Sequence, residues 1–154
     1  MFKKAQGATE YLIILAVVII IALIVVGAMG GIPGIGTGAR SRASATYWQT
    51  ADIAIPSYAA FTSTDDLNVT IRNNLRNSIT LGTVTVGGGE QTCTSTSLAA
   101  GQSTTCSDDD GADGCAAQGD SFSYDISIAY TDDDTGASYT FTGEGHKLEG
   151  KCAE

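Results

Sequence analysis

The feature that most constrains this chain is the run Leu12 to Met29, "LIILAVVIIIALIVVGAM", eighteen residues without one charged or hydrogen-bonding side chain. As a helix it would be about 27 Å long, close to the hydrocarbon thickness of a bilayer. It is rich in Val and Ile, which are poor helix formers in water. In lipid, however, each backbone amide must bond within its own segment, so a lone span is expected to be helical. Of the 154 residues, about 110 then remain to fold in water, enough for one modest head domain.

Beyond the run, residues 30–38 read "GGIPGIGTG", where five glycines and Pro33 remove backbone order and an amide donor. A break in the helix is expected there. Ala39 to Gln49 is expected to resume as a short helix, with Arg40 and Arg42 near a membrane face and Tyr47 and Trp48 packed on the head. From Ala51 onward the period changes to two. Leu67, Val69 and Ile71 alternate with Asn68, Thr70 and Arg72, the pattern of a half-buried strand. Between Ser78 and Val86 the apolar parity changes at Gly82, which predicts a bulge. Phe122, Tyr124, Ile126, Ile128 and Tyr130 form one stripe, with Tyr139 and Phe141 as a partner strand across "TDDDTGAS". With Asp52 to Tyr58 and weaker strands near Gln91 to Ser97 and Gln102 to Cys106, about seven short strands predict a small antiparallel β-sandwich, Ig-like. The fold class expected is therefore α+β: a long N-terminal apolar helix over residues 6–49, broken at 30–38, then a sandwich head over 50–154.

Charge is divided unevenly. After Ala43 there are sixteen acidic residues against four basic ones, Arg72, Arg76, Lys147 and Lys151. That argues against nucleic acid or anionic lipid as a partner of the head and fits a well-solvated extracellular domain. All four cysteines, Cys93, Cys106, Cys115 and Cys152, lie in the head without a nearby histidine at zinc-ligand spacing. An even number behind a membrane-targeting segment points to disulfides. Three pairings are open. Cys93 with Cys106 is favoured because the two bracket one glycine-containing turn, and Cys115 with Cys152 would then tie down the C-terminus.

No catalytic constellation emerges. His146 is the single histidine and lies in "GEGHKLEG", without the context of a nucleophile. The glycine-rich break lacks both dinucleotide and P-loop spacing and follows an apolar helix rather than a strand. No cofactor is implied. Asp108, Asp110 and Asp113 in "DDDGADG" are a weak Ca²⁺ candidate, because Ala112 occupies a ligand position of the EF-hand pattern and Gly119 stands where its bidentate Glu belongs. A solvated acidic loop is the simpler reading. Asn68 begins the sequon "NVT" and is a glycosylation acceptor on the polar face of its strand.

The start of the chain, "KKAQGATEYLIIL" (residues 3–15), resembles the class III signal peptide of archaeal type IV pilins, with "FPG"-like Ile32, Pro33, Gly34 and the segment Tyr47, Trp48, Gln49 matching further along. The specific resemblance covers about the first third of the chain. It implies a leader of residues 1–5 carrying Lys3 and Lys4, cut between Ala5 and Gln6 by a prepilin peptidase, with Glu10 as the fifth mature residue. Ala8 departs from the hydroxyl residue that several relatives carry, which bears on peptidase subtype. The family partners implied are other copies of the subunit, the peptidase, an assembly ATPase and its membrane platform. Cutting would remove both lysines and leave an α-amine at Gln6 about one helical turn from the Glu10 carboxylate. A carboxylate inside lipid costs about 2.5–3.5 kcal/mol on insertion scales, so a cation from a neighbouring subunit's N-terminus would be a partner for Glu10 in assembly.

Three other readings share parts of this plan. An ordinary secretory signal would use Val26, Gly27 and Ala28 as its cleavage site, but eighteen apolar residues are too many for its core and Glu10 would have no role. A single-pass anchored adhesin has the same topology without polymerising. A motility filament subunit of the archaellin type is the nearest rival. The expectation is a structural filament subunit, membrane-bound as a precursor and extracellular when mature.

Overall fold

The computed structural model describes the backbone of residues 4–28, 35–62, 66–108 and 115–154, and side chains from Thr9 to Val25 and from Gly38 on within those segments. Two helices come first, α1 (Lys4–Ala28) and α2 (Ile35–Thr50). The chain divides into two compact units, Met1–Gly36 and Thr37–Glu154. Thr9 to Val25 rises only about 26 Å as a helix, and no helix among the described residues is long and apolar enough to cross a membrane. The expectation of a long N-terminal apolar helix over residues 6–49, broken at 30–38, is thus corrected: there are two shorter helices, neither of them, in its described residues, long and apolar enough to cross a membrane. Of the break expected at 30–38, residues 30–34 lie outside the described residues, and 35–38 are already helical. Hydroxyl groups bond back along α2: Ser41 Oγ donates to the Gly38 carbonyl (3.2 Å) and Thr46 Oγ1 to that of Arg42 (2.9 Å).

In the second unit ten strands follow: β1 (Ile53–Ala60), β2 (Leu67–Asn73), β3 (Ile79–Val86), β4 (Gly89–Cys93), β5 (Ser97–Leu98), β6 (Ser103–Ser107), β7 (Ser121–Tyr124), β8 (Ile126–Asp132), β9 (Ser138–Phe141) and β10 (Leu148–Lys151). Eight form one antiparallel sheet, in the order β1-β2-β6-β4-β3-β8-β9 with β5 also on β3, while β7 and β10 pair apart from it. The expected two-sheet, Ig-like sandwich is therefore corrected to a single curled sheet. The physical reason is β4. Its first residues pair with β3, its last two, Thr92 and Cys93, with β6, so one strand carries the ladder from one half to the other. The curl brings Leu67, Val69 and Ile71 of β2 into one core with Ile79, Val84, Val86 and Ile128, all essentially inaccessible to water.

Local chemistry explains the turns. Between Val86 and Gly89, which face each other in register, Gly87 and Gly88 have φ of 62° and 107°, as a two-residue hairpin turn of the right twist requires. The register of β3 against β8 shifts between Leu81 and Val84, at the expected site of the Gly82 bulge. The stripe Phe122–Tyr130 is divided in two instead of forming one strand. Asp125 breaks it, so β7 pairs with β10 and β8 with β3 and β9. The predicted hairpin is present, with Ile128 opposite Phe141 and Tyr130 opposite Tyr139.

Helix α2 is fixed to the curled sheet's unit by one face. Ser44 and Trp48 are one turn apart and so share that face. Ser44 Oγ donates to the Lys147 carbonyl at 2.7 Å and Trp48 Nε1 donates to the same oxygen at 3.1 Å. Tyr58 Oη donates to the Glu149 carbonyl at 2.8 Å and lies 3.3 Å from Ser44 Oγ. Trp48 is fully buried, edge-on to Phe141. Its ring lies beneath Gly143, where a Cβ would sit 2.6 Å from Cζ2. Gly143 also has φ of 71° and is followed by Glu144 at 52° and Gly145 at 88°, a left-handed run that is unfavourable for residues with a Cβ. Gly143→Ala is expected to lower unfolding stability by about 2–4 kcal/mol through overpacking and backbone strain together. Chemical denaturation of the two proteins measures it, and equal midpoints would show that the ring can move aside.

Candidate assembly surface

The residues singled out at the N-terminus lie on α1. Lys4, Ala5 and Gln6 form its first turn in the backbone, and Lys3 lies outside the described residues. Glu10 is exposed. Beyond it, thirteen large side chains from Tyr11 to Val25 are 41–66 % exposed and surround the helix on all sides. A helix that is apolar all round belongs in an apolar surrounding. Covering the half of each side chain that remains exposed would contribute roughly 1 kcal/mol apiece, on the order of 10 kcal/mol for the set. Glu10 is the sole acidic residue of the first forty, and Lys3, Lys4 and Arg40 are its nearest basic residues in sequence. The arrangement offers an apolar association surface with one carboxylate near its start.

In the head the cysteines form two disulfides, Cys93–Cys106 and Cys115–Cys152. The first joins residues directly opposite in the β4–β6 ladder, at the corner where the sheet curls. The second lies beside backbone bonds from Gly119 N–H to the Cys152 carbonyl (3.0 Å) and from Cys152 N–H to the Asp120 carbonyl (2.9 Å), so it holds the C-terminus. In the loop-entropy account the two closures contribute about 3 and about 4 kcal/mol. Asn68 is half-buried on the side of β2 opposite the core, between Ala59 of β1 and Ser107 of β6. Asp108 is buried, 1 % exposed, rather than in a solvated loop; Asp110 and Asp113 lie outside the described residues. Among the described residues no group of His, Cys, Asp or Glu is placed to hold a metal. His146 is exposed and stacks on Tyr47 with ring centroids 3.9 Å apart.

Two further features stand out, the first not legible in the sequence and the second legible there only as an acidic hairpin tip. One is a cleft of about 220 Å³ beside the start of α2, lined by exposed Arg40 and Lys151, by Ser41, Ser121 and Ser123, by Glu149, and by buried Phe122. Phe122 fits because Gly150 opposite it has no side chain, a Cβ there lying 2.6 Å from Cζ. Arg40 and Lys151 are more than a hundred residues apart in sequence, so only the fold unites them. The other is the tip of the β8–β9 hairpin. Asp132 Oδ1 accepts from the Asp134 and Thr135 amides, both at 2.9 Å, and Oδ2 accepts from Asn77 Nδ2 at 2.9 Å. Asp133 and Asp134 are exposed beside it, with Asp133 Oδ1 accepting from Thr80 Oγ1 at 2.8 Å.

The bond from Asn77, then that from the Thr135 amide, holds the Asp132 carboxyl below its ordinary 3.8. A carboxyl whose folded value is lowered stabilises the fold fully above the ordinary value, and that contribution is lost as pH falls through the lowered one. Asp132→Asn is therefore expected to shrink the fall in stability below about pH 4, measured by urea unfolding across pH. Superimposable acid limbs would refute the assignment. Compared with known proteins, the chain matches no family model and no curated sequence.

Proposed function

We propose that this protein is the structural subunit of a type IV pilus-like surface filament, assembled through the apolar side chains of α1. The observation that carries the reading is the exposed apolar surface from Tyr11 to Val25, preceded at fixed spacing by Lys3, Lys4, Ala5, Gln6 and Glu10. A surface of that kind marks association, since water is a poor solvent for it. Before assembly a membrane supplies the apolar surrounding; in the filament, helices of other copies do, with backbones close enough to pack. A prepilin peptidase would cut between Ala5 and Gln6, and the new α-amine of one subunit would meet Glu10 of another. The assembly ATPase and membrane platform are partners on the same reading, and adhesion or cell contact is the role it implies. Two disulfides suit a head held outside the cell.

Mass spectrometry of filaments sheared from cells tests this directly. An N-terminal peptide beginning at Gln6 is expected; one beginning at Met29, or a protein found only in the membrane with its leader intact, would sink the proposal. In a second experiment Glu10→Ala should be cut normally and remain with the membrane, while sheared filament yield falls by about tenfold or more, in line with loss of a carboxylate partnered in an apolar setting. Undiminished yield would show that the carboxylate does not guide assembly.

A further inference from the structure

The second unit carries opposite charges at opposite ends. At one end are Arg40, in the first turns of α2, and Lys151 of β10, both exposed and lining the cleft that Phe122 also lines. Arg40 also lines a neighbouring depression with His146 and Lys147. The chain from Ala39 onward has six basic residues, and three of them gather here. Lys147 is paired with Asp125 at 2.8 Å, the one ion pair among the described residues; Asp125 and Glu149 are the acidic members of the group, and Glu149 itself lines the cleft, 3.4 Å from Ser123 Oγ. At the other end are Asp133 and Asp134 on the turn held by Asp132, beside Asp52 just past the end of α2. Asp52 is tied to this end because its carbonyl accepts from the Asn74 amide (2.9 Å), three residues before Asn77, which bonds to Asp132; the same turn carries Arg76, and Arg72 Nε donates to Asn74 Oδ1 at 2.8 Å, so the acidic residues here outnumber but do not exclude basic ones.

Strand β8 measures the separation. Asp125, at its start, bonds to Lys147, and Asp132 closes it seven residues later, about 23 Å along an extended strand. The Debye length at physiological ionic strength is about 8 Å, so the two ends do not neutralise each other within one molecule. Each is left to attract an opposite charge from outside.

We propose that the Arg40–Lys151 cleft of one copy receives the Asp133–Asp134 hairpin tip of the next, so that heads contact one another end to end. This rests on the filament reading and adds a second contact to it, separate from α1. Guanidinium, ammonium and serine hydroxyl groups donate to carboxylates, and Asp134 on the turn is exposed to accept from them. Because the two surfaces differ, the contact is heterologous, the kind from which an open array is built when its rotation does not close a ring.

Zero-length carbodiimide coupling of the full-length protein, both in sheared filaments and extracted from membranes in mild detergent, provides the test. A peptide joining Lys151 of one chain to Asp133 or Asp134 of another is expected, and isotope-mixed chains distinguish it from coupling within a chain. Arg40→Glu, which leaves both coupling groups in place, should lower its yield at least about tenfold, and so should a rise from low salt to 0.5 M, while Asp133→Lys with Asp134→Lys removes the coupling carboxylates altogether. Adding Arg40→Glu and Lys151→Glu to the same chain should restore end-to-end coupling, now through the reversed charges. Filaments that begin at Gln6 yet lack this link and ignore the charge reversals would overturn the head contact while leaving the filament reading intact. The link in extracted protein that never forms filaments would support the contact and defeat the filament reading. Coupling of Lys151 to another protein, or to acidic residues elsewhere in the chain, would overturn the contact.

Discussion

One carbonyl oxygen organises the head. The backbone oxygen of Lys147 accepts from both Ser44 and Trp48, and through it α2 is joined to the start of β10, the strand that leads to Cys152. Neither donor could be left unpaired in so dry a place without a penalty of about 1–3 kcal/mol. The placement of Trp48 then dictates what lies above it: a residue without a Cβ at 143, and a left-handed backbone to bring it there. The Ser44 hydroxyl also meets the Glu149 amide (3.3 Å) and Tyr58, so α2, β1 and β10 converge on a few polar atoms inside an apolar shell.

The sheet obeys a second constraint. A flat sheet of eight strands would leave one face of β2 and of β3 in water, although both carry aliphatic residues at alternate positions. Passing the ladder through β4 closes the two halves over a common core, and the Cys93–Cys106 bridge lies at the passage. Short β7 and β10 stay out of this sheet. Their packing of Phe122 against Gly150 lines the cleft at the start of α2.

Where burial alternates cleanly, the sequence was enough to find the strands. Leu67, Val69 and Ile71, the shift at Gly82 and the β8–β9 hairpin all lay in the period-two pattern. The single stripe from Phe122 to Tyr130 misled because Asp125 keeps the parity while its side chain and carbonyl are bonded elsewhere, to Lys147 and to the Gly87 amide. Strand β10 left no pattern at all, since Gly150 contributes no side chain. The curl was equally hidden: alternation shows which face of a strand is dry, not whether the strand opposite belongs to the same sheet. Of the candidate surfaces, α1 announces itself in its apolar composition. The cleft could not, because its two cations come from opposite ends of the head's sequence.

The contact between Trp48 and Gly143 has a consequence for how such a chain can vary. Any side chain at 143 meets an indole that is itself held by the Lys147 oxygen, so the two positions are not free to drift separately. A lineage could place a larger residue at 143 only after shrinking the ring at 48, and shrinking the ring first would open a void in the core. The route between the two states passes through a less stable intermediate whichever change comes first, which makes the pair a historical lock as well as a structural one.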